Sequence, residues 1–170
     1  KYHQRRAIRD HGIQLMSLDF LPPKPGVTLS ALAFDYGTQK IGVAFGQSLT
    51  GTAQAIKIIR ARDGIPDWQD IETLIAQWKP DIFVVGLPYN LDGSQSELSV
   101  RATKFANRLH GRFGKPSFGM DERLSSKEAI EMAAGENGYG KKKAAIDDIA
   151  AQIILQNWFN EYRDWSNKNT

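Results

Sequence analysis

Residues 31–47 read ALAFDYGTQKIGVAFGQ. Leu32, Ala33 and Phe34 form an apolar run that ends in a carboxylate, Asp35. The chain then turns through Tyr36-Gly37-Thr38 and resumes as a second apolar run from Ile41. An aspartate at the edge of a core must be desolvated, hydrogen-bonded or neutralised by a cation, and each alternative carries a cost or a purpose. Aspartate is also poorly suited to an apolar strand. The position therefore favours a functional carboxylate over a structural one.

Working outward, residues 28–35, 41–47 and 53–61 are short, β-rich and separated by glycine-bearing turns, which predicts a three-stranded antiparallel meander. Residues 67–78 carry Trp68, Ile71, Leu74, Ile75 and Trp78 at helical spacing, with Asp67 as N-cap and a stop before Pro80. The unbroken run Ile82-Phe83-Val84-Val85-Gly86 predicts a strand buried on both faces. A helix over 96–113, a short strand around 116–120, a helix over 125–134 and a last helix over 145–162 complete the order. Strands in a meander followed by βα units give an α/β three-layer sandwich, a mixed five-stranded sheet flanked by helices.

The 170 residues, 41% of them hydrophobic, suffice for one packed domain. Pro22-Pro23-Lys24-Pro25-Gly26 reads as a stiff spacer. Residues 1–26 are accordingly expected to be a flexible tail, with Met16 a candidate internal start. Residues 27–163 form the domain and 164–170 a C-terminal tail. No cysteine is present, which excludes disulfides, thiolate zinc sites and cysteine nucleophiles. His3, His11 and His110 are scattered. No apolar run approaches the ~20 residues of a membrane helix, so no membrane partner and a cytoplasmic location are expected. The net charge of +3 is mild encouragement for a polyanionic partner.

Acidic residues stand where elements end or begin: Asp35 after the first strand, Asp121 and Glu122 after the short strand, Asp147 and Asp148 in the first turn of the last helix. Strand ends of this kind fall on one edge of an α/β sheet, where ligands bind. Carboxylates gathered there without His or Cys suit Mg²⁺ or Mn²⁺, and such metals assist phosphodiester cleavage. Plainer readings stand beside this one. Asp147 and Asp148 also suit a helix N-terminus, by ~0.3–1 kcal/mol, and Asp121 or Glu122 also suits a solvated turn paired with Arg123.

Four motifs in order resemble the YqgF (RuvX) family: Asp35-Tyr36-Gly37-Thr38 with Lys40-Ile41-Gly42-Val43-Ala44, then Val84-Val85-Gly86-Leu87-Pro88, Asp121-Glu122-Arg123-Leu124-Ser125, and Ile146-Asp147-Asp148-Ile149-Ala150-Ala151. The resemblance runs from about residue 28 to 160. It implies an RNase H-like fold related to the RuvC resolvases and a cytoplasmic nuclease that processes the 5′ end of pre-16S rRNA. A Holliday-junction resolvase is the alternative. Ribosomes or their precursors are implied partners, with a monomer favoured over the dimer that symmetric junction cutting needs. Carried over by position, the metal-binding and catalytic set is Asp35, Glu122 (alternate Asp121) and Asp147 (alternate Asp148). The family pattern usually has one aspartate before the last helix, whereas two stand here.

For the nucleic acid, Arg101, Lys104, Arg108 and Arg112 share one face of the helix over 96–113, a pattern that a solvated face more commonly explains. Lys141, Lys142 and Lys143 sit in a glycine-rich loop before Asp147, Arg123 is placed to contact a phosphate, and Lys40 completes the set. Tyr89 offers a ring for stacking on an unpaired base. Asp-x-Gly-Thr also resembles the phosphate hairpin of actin-like ATPases, but those need a second domain for which the chain has no room. A non-catalytic RNA-binding assembly factor is the reading of another class.

Overall fold

The structure, a computed structural model, describes residues 18–124 and 149–170. Six strands make one sheet: β1 (Ser30–Asp35), β2 (Lys40–Gln47), β3 (Thr52–Arg62), β4 (Ile65–Pro66), β5 (Ile82–Leu87) and β6 (Ser117–Asp121). Among the described residues three α-helices accompany them, α1 (Trp68–Trp78), α2 (Glu97–Phe113) and α3 (Ala150–Asn169). The order across the sheet is β4-β3-β2-β1-β5-β6, with β1 antiparallel to β2 and parallel to β5. The expected meander and parallel half are both present. The sixth strand is β4, two residues that pair with Ala61 and Arg62 after the turn at Asp63-Gly64. A strand so short has no periodicity to read, which is why five strands were expected.

Alternation sorts the side chains into two cores. Leu32 and Phe34 of β1, with Ile41, Val43, Phe83 and Val85, pack under α1 and α2. Ala31, Ala33, Ala44, Ala53, Ile82 and Val84 face α3 on the other side. That second face is paved with small residues, so α3 lies close and fills it with Trp158, Phe159, Tyr162 and Trp165. A methyl group added to Gly46 would stand 2.7 Å from the Phe159 ring. This is the three-layer sandwich that the sequence predicts.

Strand β3 carries one irregularity. In the β2–β3 pairing Val43 opposes Lys57 but Ala44 opposes Ala55, so Ile56 is an inserted residue, a β-bulge. Before it the odd residues Ala53 and Ala55 share the α3 face, where Ala55 N–H donates to Gln152 Oε1 (3.2 Å). After it the odd residues Ile59 and Ala61 belong to the opposite core.

The helix ends follow their local chemistry. Asp67 caps α1 by accepting from the Gln69 N–H (3.0 Å), and Ser96 caps α2 by accepting from the Ser99 N–H (2.9 Å). Both helices close on left-handed residues, Lys79 and Gly114.

Both terminal segments read as tails are tied into the packing where they are described. Leu18 and Leu21 are buried, Gly119 of β6 donates to Asp19 O (2.9 Å), and Trp158 Nε1 donates to Phe20 O (2.9 Å). Tyr162 donates to Val27 O (2.6 Å), and Gly26 N–H donates to Ser166 Oγ (3.0 Å). Residues 18–27 therefore run as a strap over β6 and α3. Residues 164–169 continue α3, with Trp165 and Ser166 buried. Prolines and polar residues marked both segments as loose, whereas their few apolar anchors hold them down.

Candidate active site

Asp35 is the last residue of β1 and lies on the α3 face, as the register shows: it pairs with Gly42, and a methyl group on Gly42 would touch Asp35 Cβ (3.7 Å) and Ala151 Cβ (3.8 Å). Asp35 thus stands at the carboxyl end of the central strand, beside the start of α3. The turn after it needs Gly37, because a Cβ there would come within 2.5 Å of Lys40 O, a backbone atom. At Gly42 a side chain would make ordinary contact with Asp35 and Ala151, so this glycine relieves no clash.

Glu122 follows the parallel strand β6 in a single 3-10 turn (Glu122–Leu124). Its carboxylate reaches back over β5. A methyl group on Gly86 would stand 2.8 Å from Glu122 Oε2 and 2.5 Å from Ile154 Cδ1. Gly86 therefore provides the room that Glu122 occupies. Sequence reasoning gave Gly86 no role of its own; the signal was there as the glycine that ends an otherwise bulky apolar run.

The Glu122 carboxyl is pushed up from its usual 4.5 to about 7, first by burial and then by the negative charges of Asp35 and Asp121. Three carboxyl groups from two distant strand ends thus feel one another. They do not occupy equal positions. Asp121 is 1% exposed and is held by Arg123 on both oxygens, Nε to Oδ1 (3.1 Å) and Nη2 to Oδ2 (2.6 Å), with the Arg123 N–H also on Oδ1 (3.0 Å). Such a bidentate pair satisfies a buried carboxylate within the protein. Glu122 is less buried, and its ionised form is disfavoured by its surroundings.

Arg123 does more than neutralise Asp121. Its Nη1 lies 3.5 Å from Leu91 O, its guanidinium lies 5.6 Å from the Tyr89 ring centroid, and it passes Gly93. It ties the 88–96 loop to the carboxylates. That loop is also held by Ser96 donating to Pro88 O (2.6 Å) and by Asp92, which accepts from Ser94.

Among the remaining predicted residues, Arg101 is engaged away from the carboxylates. It donates to Asp63 O (2.6 Å) and pairs with Asp63 Oδ1 (3.2 Å), fixing the turn between β3 and β4. Hydrogen bonding to Asp63 raises its pKa. Arg112 lies over the Trp68 ring (4.3 Å). Lys104 and Arg108 are exposed on α2, and Lys40 is exposed at the start of β2. Asp147, Asp148, Lys141, Lys142 and Lys143 lie outside the described residues, as does the helix expected over 125–134. Among the described residues no group of three His, Cys, Asp or Glu side chains is arranged to hold a metal ion. No helix of the described residues is long and apolar enough to cross a membrane.

The RuvX family model, described as "Holliday junction resolvase", matches residues 29–161. A protein of Aeromonas hydrophila named "Putative pre-16S rRNA nuclease" is 52% identical over 133 residues, 78% of this chain and 95% of that one. A protein of the same name from Mannheimia succiniciproducens is 51% identical over 135 residues, covering 79% and 96%. Among solved structures, Thermus thermophilus RuvC in complex with a Holliday junction aligns with 76% of this chain and 91% of its own, at 13% identity and a TM-score of 0.49.

Proposed function

The chain belongs to the RuvX family, and on that footing we propose that it is a divalent-metal-dependent nuclease that hydrolyses phosphodiester bonds at the 5′ end of pre-16S rRNA. The observation that carries this reading is that the Glu122 carboxyl, raised first by burial and then by the charges of Asp35 and Asp121, shares its surroundings with other carboxylates. A cation between such groups would offset their repulsion. The donors are all oxygen, so the residues fit Mg²⁺ or Mn²⁺.

Asp35 and Glu122 would hold the metal, with Asp147, two residues before Ile149 in the chain, as third ligand and Asp148 as its alternate. Asp121 is the weaker candidate, because Arg123 already occupies both of its oxygens. A bound metal of this class supplies positive charge against the phosphodiester and lowers the pKa of a nucleophilic water. The chain's own residues do the positioning. Asp35 sits at a strand end, Glu122 on a tight turn, and Arg123 lies beside the ring of Tyr89, which in this reading stacks on an unpaired base.

The test is metal-dependent cleavage of a labelled pre-16S 5′ leader by the wild type beside Asp35→Asn. Loss of cutting in a folded variant that still binds the RNA supports the reading, and equal cutting by both sinks it. The family description supports a second reading, cleavage of a four-way DNA junction. Symmetric cutting of a labelled junction, with the leader left intact, would replace the first reading by the second.

A further inference from the structure

The carboxylate face of the sheet does not end at Asp35. Residues opposite each other in an antiparallel pair share a face, and the register runs Asp35↔Gly42, Gly42↔Ile58 and Lys40↔Arg60. Because side chains repeat every second residue, Lys40 joins Gly42, and Arg60 and Arg62 join Ile58. Arg62 pairs with Ile65 of β4, which adds Ile65 to the same face. The β-bulge at Ile56 makes this so: past it, Ile59 and Ala61 turn to the α1/α2 core, and the even residues turn to the carboxylate side.

The composition of this surface is unusual for a sheet face next to a helix. Lys40, Arg60 and Arg62 are exposed and make no ion pair among the described residues, while Ile58 is 39% and Ile65 55% exposed. Cations interleaved with aliphatic side chains match a polyanion that carries apolar surface between its charges, which is a nucleic-acid strand. The spacing suits it too. Strands lie about 4.8 Å apart, so Ile58 is about 10 Å across the sheet from Asp35, and Lys40 and Arg60 lie about 7 Å further along. At about 3.4 Å per charge on a stacked strand, the cations fall within a few nucleotides of a phosphate at Asp35.

We propose that Lys40, Arg60 and Arg62, with Ile58 and Ile65, form the track that holds the substrate strand on one side of the scissile phosphate. The strand enters over β3 and crosses β2 at its Lys40 end, beside the start of α3, to reach Asp35. This proposal rests on the nuclease reading for its direction but not for its test. A row of charges on an outer strand would otherwise serve only to deter edge pairing, and the measurement separates the two.

Binding of a short labelled single-stranded RNA is followed by fluorescence anisotropy, in EDTA, across a salt series. The full chain is compared with the triple variant Lys40→Gln, Arg60→Gln, Arg62→Gln and with a control triple, Lys24→Gln, Lys79→Gln, Lys168→Gln, at the other end of the sheet. Thermal melts confirm that each variant is folded. The track predicts affinity roughly tenfold lower at low salt, and a log–log salt slope smaller by about 2, since each phosphate no longer neutralised lowers the slope by about 0.7. The control should be unchanged. Arg60→Glu alone should weaken binding more than Arg60→Gln. An unchanged slope in the first triple, or an equal loss in the control, overturns the track even if the wild type cuts RNA. If the wild type cuts no nucleic acid while the slope still falls, the track stands and the nuclease reading fails.

Discussion

Replacing Glu122 by Gln should stabilise the metal-free protein, by an amount that grows as pH rises from 4.5 to about 7. The Glu122 carboxyl is raised from 4.5 to about 7 by burial, Asp35 and Asp121. At about 1.4 kcal/mol per pH unit, keeping it ionised in the fold costs on the order of 3 kcal/mol. The sign follows from linkage. Below pH 4.5 the group is protonated in both the folded and unfolded states, and its neutral form is accommodated. As pH rises from 4.5 through 7 the unfolded chain ionises first, so the folded state loses that stability progressively. Glutamine mimics the protonated form at every pH and escapes the loss. Urea denaturation in EDTA at pH 4.5 and pH 8 should therefore show variant and wild type nearly equal at the lower pH. At the higher pH the variant should lead by up to about 3 kcal/mol, or roughly 6–12 °C in melting temperature. Added Mn²⁺ should reverse the ranking, because only the wild type offers the second carboxylate. At pH 7 its binding should release about half a proton, read by calorimetry in two buffers. A gap of the same size at both pH values would refute the argument that Glu122 is crowded by charge and burial.

Gly86→Ala should cost roughly 1–3 kcal/mol by overpacking against Ile154 and Glu122. It should also shrink the Mn²⁺-induced thermal shift, because the intruding methyl displaces the Glu122 carboxylate. Trp158→Phe keeps the ring stack on Tyr162 but removes the donor to Phe20 O, a loss of about 1–3 kcal/mol; limited proteolysis should then cut more readily before residue 27. Lys79→Gly should raise stability by about 1 kcal/mol, because Lys79 closes α1 at φ 50, where a side chain is strained; differential scanning fluorimetry reads the gain.

Asp35 was legible from sequence because a carboxylate ending an apolar strand violates the local pattern, and the register places it at the carboxyl end of the central strand. The helix start at Asp67 was legible for the same kind of reason, since a capping side chain is a local signal. The different surroundings of Asp121 and Glu122 were only partly legible: a pairing with Arg123 could be read, but not which carboxylate takes it, nor that Glu122 lies over Gly86, which needs the strand partners in place. The strap over residues 18–27 was hidden because its hold depends on partners more than a hundred residues away in the chain, on α3. A helix reading that ended near residue 162 likewise could not see that Trp165 would find a buried place.

The bulge at Ile56 behaves like a frameshift written into a strand. Upstream, odd-numbered side chains face α3; downstream, odd-numbered ones face α1 and α2, and the arginines come out on the carboxylate side. Deleting Ile56 alone would leave Ala55 opposite Ala44 and Lys57 opposite Val43, so both halves of β3 would keep their faces along a ladder without the bulge. A one-residue slip of the pairing past Lys57 would instead turn Arg60 and Arg62 toward an apolar core and Ile59 out to water. A related chain one residue shorter at this point should therefore present the same side chains on a straighter, less twisted β3.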